Sequence, residues 1–234
     1  MKSITTQIRE LLLAQGADLV GFGDLSEVKE AGFPCGISIG IKLPKPIAGE
    51  IEDGPTADYY KAYHDINARL NDLASTAADY LMAAGYKALA NTTENVVKLP
   101  ENRTQLPHKT VAVRSALGWI GKSNLLITPQ YGGAIRLTSV LTDAPLETAS
   151  RQVAPLCGDC EICRLVCPAQ AILGNHWCPE SDRDDMFRMK ACEETANRLS
   201  DENFGVPDAT ICGICFANCP FTKRYLNSAG AHVE

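Results

Sequence analysis

Cys157-Gly-Asp-Cys160-Glu-Ile-Cys163-Arg-Leu-Val-Cys167-Pro168 is the stretch that decides how the rest of the chain is read. Its spacing is C-x2-C-x2-C-x3-C-P. Three thiolates separated by two residues on a curled loop can reach three corners of one iron–sulfur cube. The fourth, past a turn, points away toward a second cube. The proline keeps that loop from continuing as a helix. A second run, Cys212-Gly-Ile-Cys215-Phe-Ala-Asn-Cys219-Pro220, repeats the C-x-I-C-x3-C-P of Cys160–Pro168. This short internal repeat is the mark of a pseudo-two-fold pair of sites.

Symmetry gives the ligands. One [4Fe–4S] cluster takes Cys157, Cys160, Cys163 and, from the other half, Cys219. The other takes Cys212, Cys215 and Cys167 and needs a fourth thiolate, for which Cys178 and Cys192 compete. Cys178 precedes a proline, as Cys167 and Cys219 do, whereas Cys192 lies in a segment with helical character. Structural zinc is the competing metal. Zinc favours two C-x2-C pairs or cysteines with histidines around one ion, and the first run is too dense for that, with His176 the one histidine nearby. The bland reading of Cys35 and of the cysteine left over is a buried or idle thiol.

The chain has 234 residues, 45% hydrophobic and 21% charged, with a formal net charge of −6. That is enough for a packed core in one or two domains. The acidic balance argues against general attraction to nucleic acid or an anionic membrane. The first residues lack a signal-peptide apolar core, and no run is long enough to span a bilayer, so the cytoplasm is the expected compartment. Ten cysteines, nine of them between Cys157 and Cys219, then read as metal ligands rather than a secreted disulfide framework.

Upstream, helical spacing predicts helices over 4–15, 57–84 and 108–117. Strands are expected near 18–23, 33–43, 86–90, 125–128 and 135–141. Residues 45–56, rich in Pro, Gly and acid, read as a loop, as does the polar stretch 91–107. The fold class is α+β, with an α/β domain over 1–150 and a ferredoxin-like double-cluster domain over 151–234.

Ala112-Val-Arg-Ser-Ala-Leu117-Gly118-Trp119-Ile120-Gly121-Lys122-Ser123-Asn124-Leu-Leu-Ile127, with Tyr131-Gly132-Gly133 and Leu141-Thr142-Asp143 after it, resembles the element that precedes the clusters in epoxyqueuosine reductases. Tyr59-Tyr-Lys-Ala-Tyr-His64-Asp65 resembles that family's Asp-Tyr-His segment. The family consists of cobalamin-dependent iron–sulfur enzymes of tRNA modification, related in core architecture to reductive dehalogenases. The resemblance implies a nitroreductase-related cobalamin domain in the first 150 residues. It implies corrinoid contacts at Gly118, Trp119, Gly121, Lys122, Ser123 and Asn124. Because the family carries a lone cysteine between its two runs, before a helix, it also favours Cys192 as the eighth ligand.

The residues permit this on their own terms. The glycines let backbone approach a flat ligand, Trp119 brings an apolar face and Lys122 a cation. The bland alternative is a glycine-rich turn with Trp119 in the core. The expected function is an oxidoreductase that passes single electrons through two [4Fe–4S] clusters to a bound cobalamin, whose Co(I) state reduces a small-molecule substrate. A low-potential ferredoxin or flavodoxin would be the donor. The alternatives are a ferredoxin-type electron-transfer protein and a reductive activator of a corrinoid held by a partner protein.

The chain also departs from the family. It stops at Glu234, where relatives continue into a helical-repeat segment that helps hold tRNA. Ungapped counting puts Asn102 where the family's proposed proton donor is an aspartate, with Glu101 and His108 as nearby candidates. Net charge and these departures together give the expectation that tRNA is not a partner.

Overall fold

The computed structural model describes residues 2–228. The last six positions of the expected 151–234 domain therefore lie outside the described residues. The chain opens with α1 (Ile4–Ala14), where Ser3 caps the first turn by accepting a hydrogen bond from the Thr6 amide at 3.3 Å. Ile8 and Leu12, one turn apart, are fully buried. Strands β1 (Leu19–Asp24) and β2 (Cys35–Lys42) pair antiparallel, from Leu19 opposite Gly40 to Asp24 opposite Cys35. Gly21 is required in β1. A Cβ there would come within 2.8 Å of the Leu117 side chain and of Ser115.

Next come α2 (Lys45–Glu50), α3 (Ala57–Ala83), β3 (Ala88–Asn91), the short strands β4 (Lys98–Leu99) and β5 (Arg103–Thr104), and α4 (His108–Arg114). Strands β6 (Trp119–Ile120), β7 (Leu126–Ile127) and β8 (Ile135–Thr142) follow. The remaining elements are helices: α5 (Ile162–Leu165), α6 (Arg183–Met186), α7 (Met189–Phe204), α8 (Ile214–Ala217) and α9 (Pro220–Asn227).

This is a mixed α/β chain with two compact units, neither continuous in sequence. The first comprises Met1–Lys42, His64–Trp119 and Arg136–Ala154. It holds a sheet ordered β1-β2-β8-β3, with β3 antiparallel to β8. Strand β2 is buried along nearly its whole length, and Ile66, Leu70, Leu73, Ala77 and Leu81 give α3 its buried stripe. The second unit comprises Leu43–Tyr63, Ile120–Ile135 and Pro155–Glu234. A boundary at 150 marks where the cysteines begin, but the second unit also recruits two earlier stretches.

One of these, 45–56, carries a finding that the composition hid. Lys45–Glu50 is helical because Pro46 falls in the first turn, where its missing N–H costs nothing. The polar stretch 91–107 likewise holds the β4–β5 ribbon. Among the described residues no helix is long and apolar enough to cross a membrane.

Candidate metal centre

Each cysteine run folds the same way. In the first, the Cys160 amide donates to Cys157 O at 3.0 Å, and a single helical turn, α5, follows with Val166 N donating to Ile162 O. In the second, α8 is its counterpart, with Asn218 N donating to Ile214 O at 3.1 Å. Cys163 and Cys215 therefore sit at equivalent places on two one-turn helices. The prolines then end each run. Pro220 begins α9, and Cys219 is that helix's N-cap.

The thiols gather as two quartets. Burial pushes Cys163 up to about 11, and Cys157, Cys219 and Cys160 beside it add to the shift. The same four line a cavity of about 200 Å³. Cys219 is raised by burial, partly offset by the amides of Phe221 and Thr222 at the start of α9. Burial also pushes Cys192 up to about 11, and its neighbours there are Cys212 and Cys167. Cys215 is raised well above the ordinary thiol value by burial and then by Cys212, Cys192, Cys163 and Cys167. The second quartet is thus Cys167, Cys192, Cys212 and Cys215. Its Cys167 sulfur also accepts the Ala171 amide at 3.4 Å.

Crowded, buried thiols stay protonated by themselves. They ionise when metal compensates their charge. A cubane asks for four thiols spread around a hollow, each reaching a different iron, and both quartets have that composition. Among the described residues no three His, Cys, Asp or Glu side chains converge as a site for a single ion. Cys178 is exposed and joined to Ser181, away from both quartets. Cys192 reaches its quartet from the first turn of α7. Cys35, half-buried, starts β2 in the other unit.

The element expected to meet a corrinoid is placed as follows. Gly118 is buried and Trp119 is 1% exposed. Gly121 to Asn124 form a tight turn, with the Asn124 amide donating to Gly121 O at 2.8 Å and Asn124 in the left-handed region. Gly121, Lys122 and Ser123 line the first quartet's cavity, and Asn124 does not. What approaches the glycines is protein. A Cβ on Gly121 would lie 2.8 Å from Ile127 and 3.5 Å from the Cys157 sulfur. One on Gly133 would strike Phe216, and one on Gly132 the Thr222 backbone and hydroxyl.

Two features of the site escaped the sequence reading. Lys122, 6% exposed, is held by Glu161 at 3.0 Å, and Glu161 also binds Arg164. Residues 43–63, read as a loop and the start of a helix, brace the second run. Ile51 lies where a Cβ on Gly213 would fall, the Asn218 amide group donates to Glu52 O at 2.9 Å, and the Tyr59 ring meets Phe216 edge-on at 6.1 Å. The one available signal was Gly213 itself, glycine where the first run has Glu161.

In the other unit, His108 is half-buried and its Nδ1 lies 3.0 Å from the Ser139 hydroxyl. Burial, with the Arg136 cation nearby, holds it down to about 4, so it is neutral near pH 7. Glu101 and Asn102 occupy the tip of the β4–β5 ribbon, both in the left-handed region and both exposed or nearly so.

No model of a known protein family matches the chain. Curated relatives do. The epoxyqueuosine reductase of Listeria monocytogenes is 28% identical over 161 residues, covering 65% of this chain and 41% of the relative. That of Lactococcus garvieae is 25% identical, covering 95% of this chain and 71% of the relative. Among solved structures, an epoxyqueuosine reductase bound to an epoxyqueuosine-modified tRNA stem loop superposes with a TM-score of 0.63 at 18% identity. It is matched over 93% of this chain and 65% of its own length. A reductive dehalogenase, whose structure is described in terms of B12-dependent dehalogenation, gives 0.67 at 17% identity. It is matched over 92% of this chain and 31% of its own length. Several of these relatives are thus much longer than the stretch matched.

The expectation that tRNA is not a partner is overturned by these relatives and by the tRNA-bound structure. The physical error was to read a summed charge of −6 as if it described every surface. Phosphate binding is decided by a local face, which a net charge does not locate.

Proposed function

From a chain related to epoxyqueuosine reductases and folded like them and like reductive dehalogenases, we propose an iron–sulfur reductase of the corrinoid type. The observation that carries this reading is the pair of thiol quartets. Cys157, Cys160, Cys163 and Cys219 would hold one [4Fe–4S] cluster, and Cys167, Cys192, Cys212 and Cys215 the other. Such clusters, when bound, store and pass single electrons. A corrinoid, when bound, supplies low-valent cobalt able to turn single-electron deliveries into a two-electron reduction. That part of the proposal rests on the relatives, because Gly121, Lys122 and Ser123 line the first thiol cavity and Trp119 is buried.

The chain's own contribution is legible in its contacts. Crossed ligation, with Cys219 completing the first quartet and Cys167 the second, ties both runs into one unit and keeps the quartets adjacent. Cys163 lies close enough to Cys215 to raise its pKa. The four cysteines of the second quartet are half-buried, which limits the access of water to them. The N–H groups of Phe221, Thr222 and Ala171 aim at ligand sulfurs, a contact that stabilises added negative charge.

The relatives support a substrate with a bond cleaved by reduction, and an epoxide on a tRNA nucleoside is the first candidate. Removing an epoxide oxygen as water consumes two electrons and two protons, which suits a protein that stores electrons singly in two places. The test has two parts. Anaerobic reconstitution with cobalamin should leave a retained corrinoid absorption band after gel filtration. Expression in a strain lacking epoxyqueuosine reductase, with cluster loading verified, should restore queuosine in digested tRNA. A retained corrinoid with persistent epoxide would move the substrate toward a small molecule. Absence of any corrinoid would leave an electron-transfer protein.

A further inference from the structure

The two cysteine repeats differ in charge at matching positions. Set Cys160-Glu161-Ile162-Cys163-Arg164 over Cys212-Gly213-Ile214-Cys215-Phe216. Glu161 and Arg164 fall on Gly213 and Phe216. The charged residues of the first run are joined by a third. Lys122, on the turn after β6, is buried to 6% exposure and lines the same cavity as Cys157, Cys160, Cys163 and Cys219. Its Nζ lies 3.0 Å from one Glu161 oxygen, and Arg164 takes the other. One carboxylate serves two cations, so the group carries net charge +1 beside the first quartet. At the second quartet an anion, Glu193, instead acts on Cys192.

A lysine enclosed to this degree is costly to desolvate. A surface ion pair would have held the loop just as well, so a merely structural tie does not account for its position on the cavity wall. A fixed charge there acts on any cluster held by the four thiols. Reduction adds one negative charge to a cluster, so a nearby cation stabilises the reduced form more than the oxidised one. In a partly buried site that interaction is weakly screened. Cluster potentials respond to net charge in this way.

Building on the two-cluster reading above, we propose that Lys122 raises the reduction potential of the first cluster and that Glu161 holds that rise in check. The second cluster lacks this arrangement. Lys122 then acts as a tuning residue for electron transfer, distinct from any role in touching a corrinoid.

The experiment is an anaerobic redox titration followed by EPR on the full, reconstituted chain, with iron counted for every sample. The first cluster's wave is identified as the one that survives in Cys192→Ala. Lys122→Met should lower that midpoint by at least a tenfold change in the reduction equilibrium, about 59 mV for a one-electron couple. Glu161→Gln should move the same wave in the opposite direction, and Lys122→Arg should leave it in place. The other wave should move less in each variant.

Two variants shifting in the same direction, or no shift with full iron content, would overturn the proposal. If Lys122→Met loses iron, Glu161→Gln decides alone. Iron loss there too would show that the contact is only a tie, and the proposal fails. A parent protein that takes up no clusters would instead sink the functional reading on which this rests.

Discussion

The two thiol quartets are built on one local motif and set in different surroundings. The first is walled by Gly121, Lys122 and Ser123, opens on a cavity and has the Lys122–Glu161–Arg164 group beside it. The second takes its fourth cysteine from the long helix α7 and is braced by Ile51 and Tyr59. The repeat therefore specifies where sulfurs go, while non-repeated neighbours decide how wet and how charged each site is. For iron–sulfur centres those neighbours set the potential.

The largest effects should come from the sulfurs. Cys163→Ser and Cys215→Ser should each remove about half of the iron, as expected when four-thiolate cubanes are lost singly. Cys192→Ala should match Cys215→Ser, whereas Cys178→Ala should leave iron content unchanged. If Cys178→Ala costs a cluster and Cys192→Ala does not, the second quartet is wrongly composed. Inductively coupled plasma analysis with sulfide assay reads the outcome.

The walls come next. Gly121→Trp places a large ring against Ile127 and the Cys157 sulfur, so it should deplete the first cluster while the second remains. Full iron content combined with lost cobalamin retention would instead make this turn a corrinoid bed, and the comparison between quartets would need redrawing.

A half-buried titratable group in the other unit offers a contrast with the thiol quartets. Burial, with the Arg136 cation nearby, holds His108 down to about 4 against 6.5 in an unfolded chain. Above pH 6.5 both states are neutral there. Below it the unfolded state binds the proton first, so stability falls with pH until about 4. The loss amounts to at most about 3 kcal/mol, since each pKa unit corresponds to about 1.4 kcal/mol. Denaturation of the parent and of His108→Gln between pH 7.5 and 5 checks this. The parent should lose more stability than the variant over that range, and parallel curves would mean that His108 is solvated.

The smallest expected effect lies at Gly132, which combines a φ of +57° with close approach to Thr222, three residues past Cys219. Gly132→Ala should cost about 2 kcal/mol, combining left-handed strain with crowding. The urea midpoint measures it. An unchanged midpoint would show that α9 can move aside.

Legibility in the sequence followed the range of the interactions. The seven cysteines in the two runs are spaced by local geometry, and their candidacy as ligands could be read directly. Cys192 has no spacing rule, and the choice over Cys178 came only with the resemblance to a family. Strands β1, β2, β3, β7 and β8 and helices α1 and α3 declared themselves by periodicity, whereas α7 and the short strands β4, β5 and β6 did not. Helix α2 did not, because Pro46 and Gly49 are turn signals unless the proline falls in a first turn. The bracing of Gly213 by Ile51 and of Asn218 by Glu52 spans more than 160 residues, and no local pattern encodes it. Trp119 reads from sequence as an available ring, yet its surroundings bury it. The sign of a whole chain's charge likewise gave no guide to tRNA.

Everything above turns on two cubanes in one chain. Mössbauer spectroscopy of anaerobically reconstituted protein, with iron and sulfide counted on the same sample, addresses that directly. The prediction is about eight irons and eight sulfides per chain, all in [4Fe–4S] signals. About four irons, or zinc in place of iron, would contradict it.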